Sequence, residues 1–182
     1  MKWIPEGGKT PGARPGGALP PLLALVLAGC AGGIQGAEPL LVEAVGGGAH
    51  CAAAGEGMAI HFATDSAGRE SLIRSHGPAE GIGLAGLPED TLLLLVSMGQ
   101  RSTGGYGLAL AREEVIVEDE VAVIELEVTE PGPDDLVTQA LTSPCLLLTL
   151  PEGGYSVVRV VDQHGHSRAE GAVPGDRSEE GG

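Results

Sequence analysis

Residues 91–129 read TLLLLVSMGQRSTGGYGLALAREEVIVEDEVAVIELEVT, and two patterns within them decide the fold class. Leu92-Leu93-Leu94-Leu95-Val96 is an unbroken apolar run bounded by turn residues. Its length fits one buried strand over Thr91–Met98 better than a helix. Val121–Thr129 alternates instead, with Ala122, Ile124, Leu126 and Val128 facing inward and Glu125, Glu127 and Thr129 outward. That is the pattern of a half-exposed strand. Tyr106–Ala111 alternates too, with Tyr106, Leu108 and Leu110 on one side. The acidic stretches Glu113-Glu114 and Glu118-Asp119-Glu120 read as turns.

Outward from this segment the same vocabulary continues. Cys145–Leu150 is a second apolar strand, and Glu152-Gly153-Gly154 reads as a hairpin turn into Tyr155–Asp162, with Val158 and Val160 on one face. Glu130-Pro131-Gly132-Pro133-Asp134-Asp135 is a loop that no central strand tolerates. Upstream, Ala59–Ala63 reads as a strand. Asp65 or Ser66 caps a short helix carrying Leu72 and Ile73, and Gly77-Pro78 ends it. The expectation is a mainly β domain over residues 58–162, an antiparallel β sandwich or open barrel with one short helix. Residues 30–57 read as a Gly/Ala-rich tether in which Leu40-Leu41-Val42 adds one short strand, and residues 163–182 as a disordered acidic tail.

Composition narrows the function classes. The chain has 182 residues, of which 31 are Gly and 13 Pro, and its formal net charge is −15. Such a charge repels phosphate backbones, and aromatic residues make up only 2%, too few to form stacking platforms. Nucleic acid is therefore excluded as a partner.

No motif for bond-making chemistry stands out. Gly99-Gln100-Arg101-Ser102-Thr103-Gly104-Gly105-Tyr106 begins like a phosphate-binding loop. It then places Gly105 where the lysine belongs and Tyr106 where the metal-binding hydroxyl belongs. An alternating strand follows where that site needs a helix N-terminus. The segment reads better as a tight hairpin turn whose glycines admit positive φ, with Arg101, Ser102, Thr103, Gly104, Gly105 and Tyr106 available as a protein-contact surface. His164-Gly165-His166 opens the tail without a spaced carboxylate or cysteine partner, there is no G-x-S-x-G elbow, and no calcium-loop pattern occurs. Catalytic residues, metal ligands and cofactors are accordingly not assigned.

The N-terminus carries the clearest signal. Lys2, Lys9 and Arg14 precede the apolar stretch Ala18–Ala28, which is shorter than the roughly 20 residues of a membrane-spanning helix. A basic start, a short apolar middle and small residues at its end describe an export signal over residues 1–29. Leu27-Ala28-Gly29-Cys30 resembles the bacterial lipobox, in which the cysteine thiol takes a diacylglycerol and becomes the mature N-terminus. This implies attachment to the bilayer through acylated Cys30. Ala31 follows where an Asp favours inner-membrane retention, so the outer membrane facing the periplasm is the expected address in a Gram-negative cell. Cys51 and Cys145 remain, and two readings stay open: a disulfide in an oxidising compartment, or two buried thiols.

From Leu92 to Val161 the order of features resembles the PrcB C-terminal domain, known from lipoprotein subunits of surface protease complexes. The carriers are LVSMGQRSTGGYGLAL, VAVIELEVTEPGP, and the stretch from Thr138 to Pro144 that leads into a strand. The resemblance implies a non-enzymatic subunit that helps an exported protease assemble or remain stable. A second likeness is to the wedge loop of chagasin-like cysteine-protease inhibitors, which sits on an Ig-like sandwich. Their Arg-Pro-Trp loop is absent here.

The lipobox reading is checked by cell fractionation. Cys30→Ser should move the protein from the membrane fraction to the soluble one, whereas unchanged partitioning would refute acylation at that thiol, because two or three acyl chains anchor a domain firmly.

Overall fold

A strand that is apolar at every position must be covered on both faces, and that requirement organises the molecule. The computed structural model describes residues 39–52, 55–78 and 87–175. Its strands are β1 (Leu40–Leu41), β2 (Glu43–Gly48), β3 (Ala59–Ala63), β4 (Thr91–Ser97), β5 (Gly107–Leu110), β6 (Glu114–Glu118), β7 (Val121–Thr129), β8 (Cys145–Pro151), β9 (Val157–Asp162) and β10 (Ser167–Ala172), and its helix is α1 (Ser66–His76). They form a four-stranded sheet in the order β2-β8-β4-β3 and a six-stranded sheet in the order β1-β6-β7-β9-β10, with β5 also paired to β7. Among the described residues the fold is mainly β, two sheets and one short helix, with no closed barrel.

Every residue of β4 is buried. Leu92, Leu94 and Val96 face the six-stranded sheet, where they meet Ala122, Ile124, Leu126, Val158 and Val160. Leu93 and Leu95 face the other way, into a second cluster with Leu72 of α1, Ala63, Leu147 and Cys145. Beside β4 the antiparallel strand β8 matches it, with Leu92 opposite Leu150, Leu94 opposite Leu148 and Val96 opposite Leu146. The inward residues of β7 are those its alternation indicates: Ala122, Ile124 and Leu126 fully buried and Val128 nearly so.

Helix α1 covers the outer side of the four-stranded sheet. Asp65 caps its start, accepting from the Gly68 N–H at 2.6 Å. Its buried Arg69 donates to the backbone carbonyls of Pro88 at 3.1 Å and Glu89 at 3.2 Å, and also to that of Thr91. The guanidinium thereby ties the helix to the chain entering β4.

Several expectations need correction. The tether reading of residues 30–57 gives way over 39–52, where β1 and β2 join the two sheets and Val42 is fully buried, its N–H donating to Glu113 O at 2.8 Å. Glycine there serves close packing: a Cβ on Gly47 would lie 2.7 Å from Cys145 O. Glu114 to Glu118 is a strand, not part of a turn. Asp119 and Glu120, with φ of 49° and 62°, supply the two-residue connection into β7. Glu152-Gly153-Gly154 is not a hairpin either; it carries the chain from one sheet to the other. β9 therefore runs parallel to β7, with Val121 opposite Val157 and Leu126 opposite Asp162, so the fold is not wholly antiparallel.

The tail reading also fails over 163–175, because Ser167–Ala172 pairs with β9. Gln163 prolongs the parallel ladder with its side chain. Its Oε1 accepts from Val128 N–H at 2.9 Å, and its Nε2 donates to Val128 O at 3.1 Å. Residues 1–38, 53–54, 79–86 and 176–182 lie outside the described residues; with them go the export signal, Cys30 and the end of the tail.

The turn between β9 and β10 is organised by buried Asp162. Its carboxylate accepts from the backbone N–H groups of His164 and His166, each at 2.9 Å, and from Arg168 at 3.3 Å. Burial pushes this carboxyl up, but the two backbone donors and the His166 side chain outweigh it and hold it down at about 2. A carboxyl lowered by folding contributes stability above its unfolded value and loses it as pH falls through the folded one. In urea titrations, Asp162→Asn should be less stable than the parent at pH 7, and the gap should close as pH drops from about 4 to about 2. A gap that stays constant with pH would contradict the assignment.

Candidate functional site

The chain leaves β4 in one sheet and enters β5 in the other, so the segment from Met98 to Tyr106 is an inter-sheet crossing and not the hairpin expected from sequence. Gly99, at φ +77°, turns the backbone, and Gln100 N–H donates to Gly55 O at 2.9 Å. Arg101 and Thr142 then pair as an antiparallel bridge, with N–H···O distances of 2.8 and 2.9 Å. Thr142 Oγ1 donates to Thr103 O at 2.8 Å, and Gly104 N–H donates to Thr138 O at 2.9 Å. The crossing is laced along its length to the loop that precedes β8.

Glycine is required where the two segments touch. Gly105 sits at φ +86°, and a Cβ there would lie 2.8 Å from Val137 Cγ1 and 3.1 Å from Pro131 Cβ. A Cβ on Gly104 would collide with the Thr138 hydroxyl. The partner loop is itself organised: Gly132 N–H donates to Asp135 Oδ2 at 2.7 Å, and Asp135 N–H to Gly132 O at 3.2 Å.

Of the candidate contact residues, Ser102 and Gly105 face solvent and Gly104 is buried, while Arg101, Thr103 and Tyr106 are half-buried. The Arg101 guanidinium lies 5.2 Å from the centre of the Tyr106 ring, a cation–π stack, and Arg101 Nε is buried with no hydrogen-bond partner among the described residues. Tyr106 packs its ring against the main core. The tip of a wedge loop would project into a cleft; this tyrosine faces its own domain. Sequence reasoning missed two neighbours. Leu136 is fully exposed, and Leu141 is 64% exposed, both on the bracing loop. The available signal was leucine inside a Pro/Gly/Asp segment with no strand alternation to bury it.

The remaining candidates lie elsewhere. Cys51 and Cys145 are bonded, their Cα atoms 6.0 Å apart across a sequence separation of 94, joining the chain after β2 to the start of β8. His164 and His166 flank the β9–β10 turn with ring centroids 6.1 Å apart, and His166 Nδ1 lies 3.3 Å from Asp162. Among the described residues there is no group of three or more metal-ligating side chains and no helix long and apolar enough to cross a membrane. What the laced turn offers is contact chemistry: a stacked cation, a free hydroxyl and two leucines.

The lacing has a measurable cost if broken. Gly105→Ala should destabilise the domain by about 1–3 kcal/mol, since it combines a positive φ with a clash. Ser102→Ala, on the exposed side of the same turn, should stay within about 0.5 kcal/mol of the parent. Thermal denaturation of the two variants checks both, and equal melting points would show the crossing to be unconstrained.

No curated protein and no solved structure matches this chain. A family model does: PrcB C-terminal, over residues 92–151. The match begins in β4, takes in the laced crossing and its bracing loop, and stops at the end of β8; β9, within the stretch read as similar from sequence, lies beyond it. The glycine-tyrosine turn and the Thr138–Pro144 stretch, far apart in sequence, are the two segments that hydrogen-bond to each other. From β4 through β8, then, this chain carries a PrcB C-terminal domain.

Proposed function

We propose that the chain is an exported, lipid-anchored subunit that works by protein contact, helping a protease of the same cell envelope to assemble or to remain stable. One observation carries the reading. The Arg101–Tyr106 turn is held by backbone and side-chain hydrogen bonds before any partner arrives, beside two leucines left in solvent. A surface already ordered loses little entropy on docking. Arg is also among the side chains that most often dominate contact energies once water is excluded. The lipobox-like Cys30 supplies the anchor, and the family of residues 92–151 supplies the class of partner by analogy.

The test uses the chain isolated in mild detergent from its native membranes. A proteolytic activity should co-purify with it. The double variant Leu136→Ser/Leu141→Ser should lose that activity about ten-fold or more while its melting point stays close to the parent's, because exposed positions carry little folding energy. Isolation without protease, or full retention by the double variant, would overturn the reading.

A further inference from the structure

Toward the end of β4 away from the laced turn lies a cavity of about 690 Å³. Its place follows from one bond: Glu152 N–H donates to Asp90 O at 2.9 Å, just before β4 begins, whereas the turn starts just after β4 ends. The walls come from the end of β3, the link between β8 and β9, and the chain leaving β10. Three observations describe what would fit it.

The first is aromatic. The described residues hold only Phe62, Tyr106 and Tyr155 as Phe, Tyr or Trp, and two of these three line this one cavity. Phe62 and Tyr155 are partly buried against the core, and Tyr155 is held by its hydroxyl, which donates to Pro151 O at 2.8 Å. The rings are thus fixed walls.

Charge supplies the second. Asp65 and Glu152 line the cavity, and among the described residues no Lys, Arg or His does. Asp65 spends one oxygen on the Gly68 N–H. Neither carboxylate joins an ion pair among the described residues. The third is size and polarity: Thr64 and Ser156 add hydroxyls, Val173 adds an apolar patch, and the volume lies within the usual range for small-ligand sites.

We infer that this cavity binds an organic cation, a guanidinium or ammonium group on a short apolar stem, with the stem along Phe62, Tyr155 and Val173 and the charge toward Glu152. Aromatic faces attract cations, and a carboxylate beside them supplies the charge-assisted hydrogen bond. A neutral ligand gains only the apolar part, and an anion is repelled by both carboxylates. The site shares no residue with the contact surface above and does not depend on that reading.

The test is an NMR titration of the purified full-length chain, following the Tyr155 ring and the Ser156 and Val173 amides. The probes are agmatine, the neutral butylurea, which keeps the four-carbon stem but lacks both of agmatine's charged groups, and a blocked tripeptide with a central arginine. Agmatine should perturb these signals more tightly than butylurea, and Glu152→Gln should weaken it about ten-fold, as expected for loss of one charged hydrogen bond. Glu152 is exposed, so this variant keeps the fold. Binding of agmatine and the tripeptide alike supports the site with a protein side chain as the source of the cation; binding of agmatine alone supports it with a free amine. Equal response to butylurea and agmatine, indifference to Glu152→Gln, or no response to any probe overturns the inference.

Discussion

Burial of β4 on both faces is the constraint from which the rest follows. A strand carrying Leu92, Leu93, Leu94, Leu95 and Val96 without a polar interruption has no side to give to water. One face needs a sheet, which the six-stranded layer provides, and the other needs a lid, which α1 and the Cys51–Cys145 region provide. At roughly 25 cal/mol per Å² of apolar surface, each fully buried leucine of this strand contributes about 1.5–3 kcal/mol, more than any ion pair on the surface. Arg69 and the disulfide therefore act as positioning devices for a lid that hydrophobic burial already favours.

The strands were legible where side-chain pattern alone determines them. The inward set of β7 could be read from its alternation, and the buried nature of β4 and β8 from their unbroken apolar runs. Sheet membership was not legible. Consecutive strands joined by glycines resemble hairpins, yet the links after β4 and after β8 each cross between sheets. Nothing in Gly104-Gly105 or Gly153-Gly154 distinguishes a turn that returns from one that crosses, because the same positive φ serves both. The parallel pairing of β9 with β7 was invisible for the same reason.

Glycine content misled in a second way. A run such as Gly46-Gly47-Gly48 reads as slack chain, since composition reports the freedom of a segment in isolation. In the fold those residues lie against β8, with Gly47 too close to Cys145 O to carry a side chain. The same logic governs Gly105 against Pro131 and Val137. The candidate contact residues from Arg101 to Tyr106 could be named from sequence. Their bracing by Thr138 and Thr142 could not, because it depends on two separate inter-sheet links, β4 to β5 and β7 to β8, arriving at one place.

That bracing bears on how the domain can act. A loop with free backbone groups would have to order itself on each encounter, at a cost of about 1–2 kcal/mol per residue. Here Arg101, Thr103 and Gly104 already spend their backbone groups on Thr142 and Thr138, so a partner meets side chains and not an edge seeking a strand. On the proposed reading, specificity rests on the few groups left outward: Ser102, Leu136, Leu141 and the half-buried Arg101 that stacks on Tyr106. The cavity at the other end of β4 is separated from them by the most densely buried strand of the molecule. The interior between them is close-packed around β4, which is buried at every position. The two proposals therefore rest on separate groups at the two ends of β4: exposed leucines and Arg101 at one, aromatic rings and carboxylates at the other.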